Sequence, residues 1–181
     1  MRVAVFIDNS NVFHHLRKVK SQFHLRTCFY NPLILAEKLV GNRQLVYVGF
    51  YYVRPVMQLA KDDPQRLRKY QNSLEYYNKI AVLSLVSMKT GLLQYAYGRW
   101  REKDVDTQLC TDLVAMAALH MYDTAVIVSN DGDYRSAVVM VKNFGKRVEV
   151  AYFPNSLSMS LRQVCDQIRE VRSSYFQNLF E

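Results

Sequence analysis

The sequence predicts an α/β fold, a three-layer α/β/α sandwich around a mainly parallel central sheet. Two observations carry this expectation. Short apolar, β-branched runs alternate with segments of helical periodicity along the whole chain, the pattern of parallel strands joined by right-handed crossover helices. The first run, Val3 to Ile7, is apolar throughout, as a central strand covered on both faces must be.

Strand one is Val3 to Ile7, and Ser10 or Asn11 is expected to cap a helix with Phe13, Leu16 and Val19 on one side. His14 and His15 then fall mostly on the solvated side. Asn31-Pro32 starts a helix through Val40, and Leu45 to Tyr52 is a second strand. Asp62-Asp63-Pro64 opens a longer helix carrying Leu67, Tyr70, Leu74 and Tyr77. Ala81 to Ser87 reads as a third strand, turned at Met88 to Gly91 into Leu92 to Tyr97 as a hairpin or extended arm. Val105, Leu109, Leu113, Ala117 and Met121 mark the next helix. Thr124 to Val128 is a buried strand ending in SNDGDY, Tyr134 to Phe144 a helix closed by Gly145, and Arg147 to Phe153 a further strand. Beyond Asn155 come a helix around Leu157 to Asp166, an edge strand near Ile168 to Val171, and a short terminal helix bearing Tyr175, Phe176, Leu179 and Phe180. Residues 1–181 are thus expected to form one domain, with 155–181 as a C-terminal helical extension.

Composition narrows the setting. Three cysteines, Cys28, Cys110 and Cys165, are too few and too scattered for a disulfide framework or a zinc site. The run before Asp8 is too short for a signal peptide and no apolar stretch is long enough to span a membrane, so a cytoplasmic protein is expected. A formal charge of +8 makes a polyanion a reasonable partner. Arg54, Arg99, Arg101 and Lys103, with Trp100 among them, have the composition of a phosphate-tracking groove, though a solvated basic face with Trp100 in the core reads equally well.

The acidic residues are better placed than their number suggests. In a parallel sheet the working groups gather outside the carboxyl ends of the strands, where strand order reverses. Asp8 ends strand one, Asp131 and Asp133 follow the Val128 strand, and Asp104 and Asp106 begin the helix after the third strand or hairpin. If the first and Val128 strands are neighbours, their ends lie about 5 Å apart. Two charges at ~5 Å in an effective dielectric of about 20 repel by roughly 3 kcal/mol, so such a cluster needs a counter-charge. Lys103 can supply one; a hard divalent cation, Mg²⁺ or Mn²⁺, answers the whole arrangement. Each acid also has a structural reading. Asp8 and Asp133 can be helix caps, 130–133 a turn, and Asp104 and Asp106 dipole-favoured first-turn residues. Asp112, six positions beyond Asp106, lies about 120° round the helix and fits a supporting position or a pairing with a basic residue.

Four ordered segments, FIDNSNV, KDVDTQLCTDLV, AVIVSNDGDYRSAV and GKRVEVAYF, resemble the NYN domain of the PIN-like nuclease superfamily, in its LabA-like branch. The resemblance covers nearly the whole chain. The first segment is similar to a strand ending in D-x-x-N, on Asp8 and Asn11. The second resembles K-G-x-D-x-x-x-x-x-D, on Lys103, Asp106 and Asp112, with Asp104 where glycine is usual. The third resembles S-G-D-x-D-F, on Ser129, Asp131, Asp133 and Tyr134, with Asn130 in place of its glycine. What the resemblance implies is a metal-dependent ribonuclease in which Asp8, Asp106 and Asp131 hold Mg²⁺ or Mn²⁺. Asp133 and Asn11 would complete the catalytic set, Asp112 and Ser129 would support it, and RNA would be the partner. A noncatalytic RNA-binding or regulatory module is the alternative. A haloacid-dehalogenase phosphatase would need an aspartate where Ser10 stands, and a Toprim site would need a glutamate at the end of an early strand, which the first strand does not offer. The aromatic tail, Tyr175 to Phe180, reads as core cover or as a dimer surface, so a homodimer is a possible state.

Overall fold

A computed structural model describes residues 1–96, 99–154 and 158–176, with the backbone alone for residues 96, 99, 101 and 102. The strands are β1 (Arg2–Asp8), β2 (Gln44–Val53), β3 (Val86–Ala96), β4 (Arg99–Lys103), β5 (Thr124–Val128), β6 (Arg147–Tyr152) and β7 (Gln167–Glu170). The helices are α1 (Asn9–Val19), α2 (Pro32–Val40), α3 (Pro64–Ala81), α4 (Val105–Ala118), α5 (Arg135–Asn143) and the four-residue α6 (Met159–Arg162). The sheet runs in the order β4-β3-β2-β1-β5-β6-β7, every pairing parallel except β3 with β4. Six parallel strands between two helical layers make the expected α/β sandwich of the PIN-like kind.

The layers follow from β1. Successive side chains of a strand point to opposite faces, so Val3, Val5 and Ile7 enter one core while Ala4 and Phe6 enter the other. Val12 and Leu16 of α1, Leu35 and Leu39 of α2, and Tyr76 and Ile80 of α3 fill the first core. Leu109 and Leu113 of α4 with Val138 and Val141 of α5 fill the second. All five β1 residues from Val3 to Ile7 are fully buried, which is why the strand carries no polar alternation. From β1 the chain winds outward first to β2 and β3, then returns to begin β5 on β1's other side. The order reverses between β1 and β5, and β1 is where ligand sites of such sheets form.

Four expectations change. The segment 88–91 is no turn: β3 runs unbroken from Val86 to Ala96, pairing with β2 through Gly91 and with β4 from Leu92. Gly91 is required for close approach, since a Cβ there would lie 2.5 Å from Lys103 O and 2.5 Å from Val105 Cγ2. The expected 157–166 helix shrinks to Met159–Arg162, and the following strand joins the sheet beside β6, so this part of the tail is not purely helical. The terminal helix is a 3₁₀ turn at Ser173–Phe176, whose Phe176 is buried against Phe23, Tyr30 and Phe153; Leu179 and Phe180 lie outside the described residues. Trp100 is 40% exposed against Tyr95, ring centroids 5.3 Å apart, rather than in the core.

Candidate active site

The rim at the end of β1 is built outward from Asp8. Its carboxylate, not Ser10 or Asn11, caps α1: the Asn11 N–H donates to Asp8 Oδ1 at 3.0 Å. That cap ties the carboxylate to the backbone it terminates. Ile7 pairs with Val128 across β1–β5, so the next residue of β5's chain, Ser129, arrives beside Asp8. Ser129 Oγ donates to Asp8 Oδ2 at 3.1 Å and accepts from the Asp131 N–H at 3.2 Å. Tyr134 Oη lies 3.0 Å from Asp8 Oδ2 and 2.7 Å from Asp106 Oδ1. One buried hydroxyl therefore joins carboxylates from two elements.

These contacts set the electrostatics. Asp8 is 4% exposed, and burial lifts its carboxyl to about 6; the hydrogen bond from Asn11 opposes this, the charge of Asp106 adds to it, and the bonds from Tyr134 and Ser129 oppose it. Burial and the two carboxylates push the Tyr134 phenol well above its ordinary value, so it stays a donor. A phenol has a single hydrogen and cannot donate fully to both carboxylates. With Asp8 protonated, the carboxyl donates to Tyr134 Oη and the phenol to Asp106; with Asp8 ionised, two acceptors compete for that hydrogen. The site is thus short of positive charge or protons at neutral pH.

Around this core lies an open cleft of about 340 Å³, whose lining includes Asp8, Asn11, Asp104, Asp106 and Asp131 together with His14 and Lys103. Asp131 caps the 3₁₀ turn Gly132–Tyr134, accepting from the Asp133 N–H at 3.0 Å, and Asp133 itself is exposed. A Cβ on Gly132 would meet Ser158 Oγ at 2.5 Å, so this turn packs tightly on the tail. Asn11 does two jobs in the scaffold, since its Oδ1 also accepts from the Asn130 N–H at 3.2 Å and so links α1 to the β5 loop. Asp112 stands apart from the cleft, accepting from Tyr51 Oη at 2.8 Å with Lys89 Nζ 3.8 Å away. Arg54 lines a separate depression beside α3, Lys103 the acidic cleft, and the Arg99 and Arg101 side chains lie outside the described residues.

Reading residue types alone passes over several participants. Tyr134 had one signal, a hydroxyl where the resembled pattern has phenylalanine. Asn130 is 5% exposed and accepts from the Phe153 N–H at 2.9 Å, pinning the ends of β5 and β6 together. Asp104 adopts φ +70°, the left-handed region that a glycine favours and that aspartate tolerates better than most residues. The histidines are not equivalent: His14 borders the cleft, while His15 stacks on Phe153 at 5.4 Å with its imidazole held below its ordinary value chiefly by burial.

Among the described residues no three His, Cys, Asp or Glu side chains are gathered into a metal-holding group. The donor chemistry nevertheless fits a hard cation. All the candidates are oxygen donors, and Asp8 is a desolvated carboxylate with no cation paired to it among the described residues. Mg²⁺ and Mn²⁺ are often held by one or two carboxylates plus water, which an open cleft permits.

The sequence model of the NYN domain matches residues 2–172. The low amplitude and bright protein LabA of Synechococcus elongatus is 21% identical over 178 residues, covering 95% of this chain and 86% of LabA. An uncharacterised protein of Sinorhizobium fredii is 31% identical over 94 residues, 50% of this chain and 42% of its own length. The crystal structure of a protein of unknown function from Vibrio parahaemolyticus superposes with a TM-score of 0.64 at 19% identity, over 97% of this chain and 94% of that one, which shows a shared fold.

Proposed function

The chain belongs to the NYN domain family, and from that premise we propose that it is a metal-dependent ribonuclease acting at the cleft of Asp8, Asp106 and Asp131. Membership brings a nuclease-like or RNA-related role; hydrolysis, the metal and the substrate are our reading. The observation that carries it is Asp8, a carboxylate withdrawn from water at the strand-order reversal, raised to about 6, and without a paired cation among the described residues.

Asp8, Asp106 and Asp131 are the residues that would hold Mg²⁺ or Mn²⁺. Such a cation, when bound, supplies an activated water and charge against the phosphoryl oxygen, so no histidine or serine nucleophile is needed. The protein's own groups do the positioning. The Asn11 N–H fixes Asp8 Oδ1, Ser129 and Tyr134 fix Oδ2, and Tyr134 carries the same order across to Asp106. Asn11 and Asn130 hold α1 and the loop after β5 together, which keeps Asp131 in the lining of the same cleft. Lys103 on the cleft wall offers a charge to a substrate phosphate. No described helix is long and apolar enough to cross a membrane, and a cytoplasmic setting suits an RNA substrate. The buried Phe176 favours the core-cover reading of the tail, and a homodimer gains no support.

The test is cleavage of single-stranded and structured RNA with Mg²⁺ or Mn²⁺, compared with Asp8→Asn and Asp131→Asn. We expect cutting by the parent protein, lost by at least about a hundredfold in Asp8→Asn, since removing a charge-stabilising group typically costs about that much, with RNA binding retained. One observation favours the second reading, a noncatalytic RNA-binding module: the described carboxylates do not close into a three-ligand group. A parent protein inert with both metals yet binding RNA decides for it.

A further inference from the structure

Beside the acidic cleft lies a second hollow of about 700 Å³, bounded by α1, the connection after it, and α3. The two hollows share Ser10 and His14, so the first turns of α1 are their common wall. Their charges are opposite. Arg17 and Lys20 at the end of α1, Arg26 in the connection and Lys69 of α3 line the larger one, and among the described residues no Asp or Glu does. All four cations are exposed, and among the described residues none forms an ion pair. On the same helix as Lys69, Lys79 pairs with Glu75 at 3.1 Å, so α3 does pair cations where it has acids to offer.

Four unpaired cations facing one recess repel one another, and an anion relieves that repulsion. The acidic cleft alone is a poor place to seat a polyanion, because Asp8, Asp104, Asp106 and Asp131 repel it. A cationic groove that opens into that cleft supplies the missing attraction. Phe13, Phe29 and Tyr77 also line it, with the Arg17 guanidinium 5.9 Å over the Phe13 ring. Cations interleaved with aromatic rings in a recess are the features by which proteins hold a single strand, whose phosphates follow the charge and whose bases meet the rings. A rigid duplex cannot follow a recess between two helices in this way.

We propose that the groove between α1 and α3 binds the backbone of single-stranded RNA and leads it past Ser10 and His14 into the acidic cleft. The direction of travel rests on the cleft being the place of cleavage; the binding does not.

The test measures binding of a fluorescently labelled single-stranded RNA, in EDTA and across a salt series, on the Asp8→Asn protein. The triple variant Arg17→Gln/Arg26→Gln/Lys69→Gln is compared with a control that removes three charges elsewhere, Lys61→Gln/Arg147→Gln/Arg162→Gln. We expect the groove variant to weaken binding at least tenfold and to flatten the slope of log K against log salt by about two, at ~0.7 for each phosphate no longer neutralised, with an unchanged melting temperature. The control should change little, and a duplex of the same length should bind less tightly than the strand. Groove-variant binding indistinguishable from that of the control, or a duplex bound as tightly as the strand, overturns the proposal. Because cutting plays no part in this measurement, a protein that never cleaves RNA but loses binding in the groove variant sinks the nuclease reading and keeps the groove.

Discussion

Two carboxylates of this sheet are almost wholly withdrawn from water, and the fold treats them in opposite ways. Glu149 of β6, 2% exposed, is met by Arg43 at 2.6 Å and by Arg169 at 3.2 Å. Asp8 of β1, 4% exposed, is met by three hydrogen-bond donors and, through Tyr134, by a second carboxylate. Burying a charge is tolerable when a partner charge comes with it and expensive when it does not. At Glu149 the partners are part of the chain. At Asp8 the shortfall is left open, on a cleft that solvent reaches, and the proposed metal-holding role of Asp8 rests on that difference.

The comparison breaks most visibly at Glu149. Replacing it with alanine strands two guanidiniums that are 17% and 31% exposed, and we expect a loss of about 3 kcal/mol in urea unfolding. Asp8→Asn should act in the opposite direction. A carboxyl raised from 3.8 to about 6 binds its proton more tightly folded than unfolded. Stability contributed by that proton is present below about pH 4 and disappears as pH rises through about 6. A rise of that size corresponds to at most about 3 kcal/mol, so Asp8→Asn should stabilise the metal-free protein at pH 7 by about 1–3 kcal/mol and flatten its stability between pH 4 and 6. Adding Mg²⁺ or Mn²⁺ should raise the melting temperature of the parent protein and not of this variant.

Smaller changes sharpen the contrast. Tyr134→Phe removes the hydroxyl shared by Asp8 and Asp106, for an expected loss of about 1 kcal/mol. Because that hydrogen bond favours ionised Asp8, its removal should move the midpoint of the pH dependence upward, which NMR titration of the Asp8 carboxyl would read. Asp104→Gly relieves a left-handed aspartate at φ +70° and should stabilise by about 0.5 kcal/mol in thermal unfolding, while taking one negative charge out of the cleft.

Much of this was legible in the sequence, and the reasons are physical. A short uninterrupted apolar run bounded by polar turn residues reads as a doubly covered strand, so β1 and β5 stand out in the sequence, and their carboxyl ends carry Asp8 itself and, three residues past Val128, Asp131 to one rim. Burial is what the sequence hides. Nothing in DNSN states that the carboxylate would be withdrawn while its neighbour Asp106 stays exposed, because that depends on Tyr134 folding back over both. Gly91 is ambiguous in sequence for a related reason: a glycine that permits close approach to Lys103 O and Val105 looks, in one dimension, like a glycine that turns. The α1–α3 groove draws its cations from four places between Arg17 and Lys69, a spacing without any linear signature, whereas the compact cluster at 99–103 attracts the eye.

The central position of β1 also dictates an order of events. Asp8 meets Ser129 and Tyr134 across separations of 121 and 126 residues, among the longest closures in the chain, whereas its pairing with β2 needs only the loop to Gln44. Long closures cost more entropy and form later. During synthesis the β1–β2–β3 half can assemble with Asp8 still hydrated and freely ionised, and only the arrival of β5 and its loop removes that water. The acidic cleft is therefore among the last things the chain completes, and a protein arrested before that step would carry about half of its sheet and an Asp8 still open to water.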